Sequence, residues 1–330
     1  MQIYLLGDLK SDNGPGNANK QIKEALLLKY KVDYSKQNGK IGRIAEMYKG
    51  IKWSDLLLIC SSSKINYLAV RLAKKMGKKI VYLMHGYSSY EQKIECPNIA
   101  ESELNKVRNY EKFIFDAVDR IICVSKRCMD FMIQQFPEYE NKFDYVYNVV
   151  NIEKIKKSNK AEKTKKYPVL TIGGGMKRKN VYTLVKAAKN IKVVVVGRTL
   201  SDGEKIKEYN NVTWYEYLNH SEVMKLMAET RLYIQNSTFE TFCLSVIEAL
   251  FSGCSILVAD TIGCLDLFKN LLEEDIIHDV HNQNEINKKM EYLLSHPNNE
   301  RLLKEFKSEL VSKEWQSNKW QKIINDIFDM

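Results

Sequence analysis

The chain has 330 residues, 45% hydrophobic and 28% charged, with 15 Gly and 5 Pro. That composition excludes disordered, fibrous and low-complexity classes, and at roughly 100–200 residues per domain the length suggests two domains. Fifty-one Lys and Arg against 41 Asp and Glu leave a formal charge of +10, a moderate basic excess.

No apolar run approaches the roughly 20 residues that cross a bilayer, and no basic stretch precedes an apolar one near Met1, so neither a spanning helix nor a signal peptide is expected. The seven cysteines are odd in number and scattered, without a C-x-x-C pair. Reduced thiols in a cytoplasmic protein are therefore expected, and a structural zinc site is not.

Short apolar runs alternate with longer amphipathic stretches. In the first half, strands are predicted at Ile3–Leu6, Leu56–Cys60, Ile80–Met84, Arg120–Val124 and Tyr145–Tyr147. Helical patterns such as Asn19–Leu28, Asn66–Lys75 and Lys106–Ala117 lie between them. The second half repeats the alternation, with strands at Val169–Ile172, Val193–Val196, Val212–Trp214, Leu232–Ile234 and Ser255–Val258. Continuous Val/Ile/Leu runs joined by crossover helices mark parallel strands buried on both faces. The fold class is α/β, two doubly wound Rossmann-like domains.

The break falls at the Lys-rich stretch Asn151–Tyr167. Residues 1–150 form the first domain, 151–167 a basic linker and 168–312 the second domain. The tail reads as helical from Asn299 on, with a last helix at 313–330 that crosses back to the first domain. Its aromatic stripe, Trp315 and Trp320 among Ile323, Ile324, Ile327 and Phe328, is packing surface.

In open α/β sheets, ligands bind beyond the carboxyl ends of the strands, where loops open onto helix N-termini. Four loops stand there. Asp12-Asn13-Gly14-Pro15-Gly16-Asn17 follows the first strand, and its glycines let backbone approach a ligand, although the G-x-G-x-x-G spacing of a dinucleotide site is absent. His85-Gly86 follows the strand Ile80–Met84, where an imidazole can serve a ligand or orient its own loop. Gly173-Gly174-Gly175-Met176-Lys177-Arg178-Lys179-Asn180 joins free backbone to three cations at the start of a helix, an anion cradle suited to phosphate.

The fourth loop carries the most. Glu240 follows a strand, a helix is predicted from near Thr241, and Glu248 lies two turns inside it among Val246, Ile247, Ala249 and Leu250. Eight helical residues span about 12 Å, the scale of a nucleotide sugar, with the electropositive helix start between the two carboxylates. A carboxylate among apolar neighbours is costly unless something binds it.

This last block, with Gly253 after it, resembles the Glu-x7-Glu signature of the retaining GT-B glycosyltransferases of family 4. The resemblance runs along most of the chain in order: Asn13-Gly14-Pro15-Gly16-Asn17, then Glu111 through Asp119-Arg120-Ile121-Ile122-Cys123-Val124-Ser125, Tyr147-Asn148-Val149-Val150-Asn151, and Thr171 through Ala187. It implies two domains facing across a cleft and an enzyme that moves a hexose from a nucleoside diphosphate sugar to a glycan or lipid-linked acceptor. Configuration would be retained, and the setting would be bacterial surface polysaccharide synthesis. Glu240 and His85 would meet the transferred sugar, and Glu248 the donor ribose. Lys179 would contact the diphosphate, as would the N–H groups of Thr241, Phe242, Cys243 and Leu244. Gly14, Gly16, Asn17, Gly174 and Arg178 complete the expected substrate contacts. The family's arginine five residues before the lysine is replaced here by Gly174. With no Asp-x-Asp in the chain, neither metal nor any cofactor beyond the donor substrate is expected.

Two other readings stand beside this one: a nucleotide-sugar epimerase, which would need no acceptor, and a catalytically silent binding subunit, which Gly174 motivates. Nucleic-acid binding is not expected, because the cations do not alternate with exposed aromatics. Residues 1–150 hold 24 Lys and Arg against 17 Asp and Glu, with Lys74, Lys75, Lys78 and Lys79 clustered. Basic clusters of this kind dock on anionic membrane surfaces or serve only solubility, so peripheral contact at the inner membrane face stands as one expectation beside the cytoplasmic assignment.

Overall fold

The computed structural model describes residues 1–11, 14–36, 40–61, 63–158 and 164–329. Asp12 and Asn13 of the first glycine loop, and Lys160 and Lys163 of the charge run, lie outside the described residues. The chain divides into two compact units: Met1–Lys93, Asn98–Val149 and Ser308–Met330 form one, and Ile94–Pro97 with Val150–Lys307 the other.

The first unit runs β1 (Gln2–Leu6), α1 (Gly14–Leu27), β2 (Lys31–Tyr34), α2 (Lys40–Trp53), β3 (Leu56–Ile59), α3 (Lys64–Lys75), β4 (Lys79–Met84), α4 (Ser88–Glu95), α5 (Glu101–Ala117), β5 (Arg120–Cys123), α6 (Lys126–Gln135) and β6 (Phe143–Tyr145). All strands pair in parallel in the order β2-β1-β3-β4-β5-β6. The apolar runs occupy the middle of the sheet, where Leu56–Ile59 is buried throughout. The edge strand β2, Lys-Val-Asp-Tyr, is only half-buried. It has no apolar run, which is why the sequence reading passes over it.

The second unit contains α7 (Ile152–Ser158), β7 (Tyr167–Ile172), α8 (Val181–Ala188), β8 (Val193–Val196), α9 (Gly203–Lys207), β9 (Val212–Tyr215), α10 (His220–Ala228), β10 (Thr230–Gln235), α11 (Leu244–Phe251), β11 (Ser255–Ala259), β12 (Ile276–Ile277), α12 (Gln283–Ser295) and α13 (Asn299–Glu305). Its six parallel strands are ordered β12-β11-β10-β7-β8-β9. The core of this unit sets Val193, Val195, Leu232, Ile234 and Leu257 of the sheet against Leu184 and Val185 of α8 and Ile286 and Met290 of α12. The Lys-rich stretch does not run as linker from its first residue, because α7 occupies its start with Ile155 buried.

The tail is not one continuous helix. After α13, Phe306 forms an antiparallel bridge with Phe268, and a short 3-10 turn follows at Ser308–Val311. The last helix, α14 (Lys313–Phe328), then packs within the first unit. Trp320, Ile323, Ile324 and Ile327 are buried, each contributing about 1.5–3 kcal/mol by its removal from water. Gln316 Nε2 donates to the Tyr147 carbonyl at 2.9 Å, and Lys319 pairs with Asp144 at 2.6 Å.

Candidate functional site

In the second sheet the strand order reverses between β7 and β10, the switch point beyond which open α/β sheets take their ligands. The loops leaving their carboxyl ends are residues 173–180 and 236–243, the glycine–lysine loop and the start of the Glu-x7-Glu block.

The first of them lies flat on the loop after β8. Gly173 and Gly174 both donate N–H to the Val196 carbonyl, at 2.9 and 3.2 Å. Gly174 has φ +55°, and a Cβ on it would sit 2.4 Å from the Arg198 carbonyl oxygen. No side chain fits at that position in this conformation, so the glycine that replaces the family's arginine is a structural requirement of this loop. Lys177–Lys179 form a 3-10 turn, and Asn180, left-handed at φ +47°, separates them from α8. The cations thus precede the helix instead of opening it.

The two loops are laced together. Thr238 N–H donates to the Arg178 carbonyl at 2.7 Å, and Asn180 Nδ2 to Thr238 Oγ1 at 2.6 Å. This brings Glu240 against Arg178 Nη1 at 2.9 Å and into an ion pair with Lys179. The Glu240 side chain is 12% exposed. Burial alone would push its carboxyl up, but Lys179 and Arg178 hold it below the usual carboxylate range. Behind it a hydrogen-bonded chain runs through Ser237 (3.4 Å), Gln235 (2.7 Å) and Tyr233 (2.5 Å) to Ser245 on α11 (2.9 Å). That chain ties the carboxylate to the helix beyond it.

The helix predicted from Thr241 begins instead at Leu244. Glu240 makes a parallel bridge with Ile262, and the N–H groups of Gly263 and Cys264 donate to the carbonyls of Glu240 and Phe242, both at 2.9 Å. This pairing holds 240–242 out of the helix. Cys243, at φ +77°, then redirects the chain, a costly conformation for a residue with a Cβ. Among the described residues, the N–H groups of Cys243 and Leu244 donate to no backbone carbonyl, leaving an electropositive helix start.

Glu248 is therefore little more than one turn into α11. Its side chain is 20% exposed and meets His220 Nε2 at 2.9 Å. His220 is the first residue of α10, whose start is fixed by the reciprocal Asn219–Glu222 capping box. The hydrogen bond to Glu248 raises the His220 pKa above its ordinary value, against burial and the nearby Lys154 charge.

A further carboxylate already occupies the cradle. Glu95, the last residue of α4, lies in the short segment Ile94–Pro97 that leaves the rest of that helix to group with this unit; it accepts from the N–H groups of Lys177 (2.9 Å) and Arg178 (3.3 Å) and faces Arg178 Nε at 3.4 Å. The loop's donors thus bind an anion in the conformation they hold here.

In the first unit the strand order reverses between β1 and β3. α1 begins at Gly14, which is exposed; Gly16 is buried and Asn17 half-buried. Asn19 Nδ2 donates to the Asp8 carbonyl at 2.9 Å, which turns its Oδ1 toward His85 Nε2 at 2.7 Å. That orientation puts the imidazole proton on Nε2. Burial pushes the His85 pKa down to about 4, so the ring is neutral at pH 7.

The structure thus brings Arg178, Lys179 and Glu240 into contact beyond β7 and β10, with Thr241–Leu244 leading into the helix that carries Glu248, and sets His85 beside α1 of the first unit. Sequence reasoning missed His220, Glu95 and Asn19. The Asn-x-x-Glu capping pattern at 219–222 was the available signal for His220, since it places that residue after a strand's carboxyl end. Among the described residues no cluster of three or more His, Cys, Asp or Glu could hold a metal, and none of the seven cysteines is paired.

Two family models and several known proteins resemble this chain. The family described as Glycosyl transferases group 1 matches residues 151–309, and that described as Glycosyltransferase Family 4 matches residues 30–154. An uncharacterized 41.2 kDa protein of the cps region of Klebsiella pneumoniae is 23% identical over 69% of this chain and 64% of its own length. The GtfA subunit of a UDP-N-acetylglucosamine–peptide N-acetylglucosaminyltransferase of Streptococcus agalactiae is 23% identical over 72% of this chain and 48% of its own. This chain therefore spans about half to two thirds of the length of these curated relatives. Among solved structures, Anabaena HepE in complex with UDP-glucose superposes with a TM-score of 0.70 at 14% identity, over 99% of this chain and 100% of that one. With both of its units matched in order, the chain belongs to the family 4, group 1 glycosyltransferases of the GT-B fold.

Proposed function

We propose that the protein transfers a hexose from a nucleoside diphosphate sugar to a glycan or lipid-linked acceptor with retention of configuration, without a metal, in bacterial surface polysaccharide synthesis. The observation that carries this reading is the Glu240 carboxylate, ionised between Lys179 and Arg178 in front of the open start of α11, with Glu248 one turn beyond. Glu248 takes the donor ribose and Glu240 the hydroxyls of the transferred sugar. Lys179, Arg178 and the N–H groups of Thr241, Phe242, Cys243 and Leu244 take the diphosphate. His85, neutral and held by Asn19, is assigned to the transferred sugar, and Gly14, Gly16 and Asn17 to the substrate loop of the first unit.

In the transfer, the bond between the anomeric carbon and the diphosphate oxygen breaks as the acceptor oxygen bonds to that carbon on the same face. The acceptor proton leaves with the diphosphate. Fixed cations and helix-start N–H groups stabilise the charge that grows on the leaving group. The presence of UDP-glucose in the HepE complex and the cps-region setting of the Klebsiella relative support a UDP-hexose donor and a capsular glycan. Peripheral docking through Lys74, Lys75, Lys78 and Lys79 on an anionic membrane completes the proposal; among the described residues no helix is long and apolar enough to cross one.

The test is a thermal-shift panel of nucleoside diphosphates and their sugars, since a ligand of the folded state raises its melting temperature. Stabilisation by one nucleoside diphosphate and its sugar, and not by the free sugar, is expected. A flat response across the panel contradicts the assignment.

A further inference from the structure

The first unit holds a concavity of about 620 Å³ at the amino ends of β4 and β5, the end of the sheet opposite its ligand-binding loops. None of the residues assigned to the donor or to the transferred sugar lines it, whereas Lys74, Lys78 and Lys79, given above to membrane docking, do. Its cations are Lys74, Lys78, Lys79, Arg120 and Lys142, and its carboxylates Asp116 and Asp119, a surplus of positive charge.

Both carboxylates are already engaged. Asp116 accepts from the Tyr139 hydroxyl at 2.5 Å, and Asp119 from the Ile80 N–H at 2.8 Å while facing Lys79 at 3.3 Å. Lys142 Nζ donates to the carbonyls of Phe115 (2.8 Å) and Asp116 (3.0 Å) at the end of α5, contacts that engage two of its three N–H groups without neutralising it. Burial, with the Lys74 charge beside it, pulls the Lys142 pKa below its ordinary value. The Lys74 carbonyl accepts from the Gly77 N–H at 3.0 Å, and among the described residues its exposed side chain makes no hydrogen bond or ion pair. Ile80, Val118 and Ile327 close its floor, each at most 2% exposed, and a low-dielectric floor of this kind concentrates the field of the charges around it.

We propose that this concavity binds a phosphate monoester carried on an organic body, with the phosphate at Lys74, Lys142 and Arg120 and the body along Val118 and Ile327. A phosphate monoester carries about two negative charges at neutral pH, which suits a surplus that one carboxylate would leave unmet. The volume lies within the range of small-molecule sites, roughly 300–1,000 Å³, and exceeds the needs of a bare phosphate ion. Two sources share this chemistry: a soluble sugar phosphate and a phosphomonoester lipid headgroup.

The experiment titrates the full chain with inorganic phosphate, glucose 6-phosphate, glucose, and vesicles of phosphatidylcholine alone, with phosphatidylserine, and with phosphatidic acid. The same titrations are repeated on Lys74→Glu, a change at an exposed residue, and on Lys179→Ala. Saturable binding of glucose 6-phosphate but not glucose assigns a soluble ligand. Binding of vesicles that carry phosphatidic acid, and not of those that carry phosphatidylserine, assigns a headgroup; equal binding of both is general docking on anionic lipid and overturns the lipid source. In either case Lys74→Glu weakens binding by about tenfold or more, the size of a lost charge-assisted contact, and Lys179→Ala leaves it unchanged. Binding of neither class, equal binding by Lys74→Glu, or loss in Lys179→Ala overturns the proposal. UDP binding, read in the same samples, reports on the donor site separately.

Discussion

His220 Nε2 lies 2.9 Å from Glu248 Oε1, so the carboxylate assigned to the donor ribose is held by a titratable partner 28 residues earlier in the chain. Because that hydrogen bond raises the histidine's pKa, its stabilising contribution is fully present below the unfolded value near 6.5 and is lost as pH rises through the folded value. The His220 imidazole resonance in NMR is expected to titrate above the ordinary histidine range, and to fall back toward it in Glu248→Gln. An unchanged titration in that variant would show that the pair does not form.

His85 has the opposite sign. Its folded pKa is depressed to about 4 by burial, so the unfolded chain takes up a proton that the folded one refuses. Its contribution is present above the unfolded value near 6.5 and disappears as pH falls toward 4. Denaturant unfolding across that window is expected to show a smaller loss of stability in His85→Gln than in the wild type. Identical slopes would place the ring in contact with water.

Backbone conformation makes two further expectations. Gly174→Arg reintroduces the family's residue, yet its Cβ would meet the Arg198 carbonyl at 2.4 Å. It should lower the melting temperature and weaken donor binding. Cys243→Gly removes the strain of φ +77°, worth on the order of 1 kcal/mol, and should fold with stability near wild type. A Gly174→Arg variant that melts normally and binds donor more tightly would contradict the loop geometry.

The parallel cores were legible because buried strands need unbroken apolar runs: the strand Val193–Val196 is bounded as its four valines suggest. β2 and the two-residue β12 escaped because an edge or a short strand needs no such run. In the site, Glu240, Glu248 and Lys179 stood out as charges at strand ends. The late start of α11 did not, because it depends on the bridge from Glu240 to Ile262 and on a left-handed cysteine. The Glu95 and His220 contacts are between residues 83 and 28 positions away from their partners, beyond the reach of any local pattern.

Arg178 and Lys179 meet carboxylates in this structure, so their charge is available to a phosphate only in exchange for those contacts. Arg178→Ala and Lys179→Ala should each weaken nucleoside diphosphate binding by about tenfold or more, as loss of a charge-assisted contact does. Nucleoside binding should change little. Calorimetric titration separates the two ligands, and equal weakening of both would move the diphosphate elsewhere.

The Glu240–Lys179 pair is proposed to lie where a nucleotide sugar turns over. Release of nucleoside diphosphate from a panel of nucleotide sugars, in the presence of EDTA and a glycan acceptor extract, tests it most directly in the wild type, Glu240→Ala and Glu248→Ala. The account predicts turnover of at least one donor by the wild type in EDTA, with kcat/KM reduced at least about tenfold in each variant, roughly 1.4 kcal/mol of transition-state stabilisation. Wild-type rates in both variants, or activity that EDTA abolishes and Mg²⁺ restores, would contradict it.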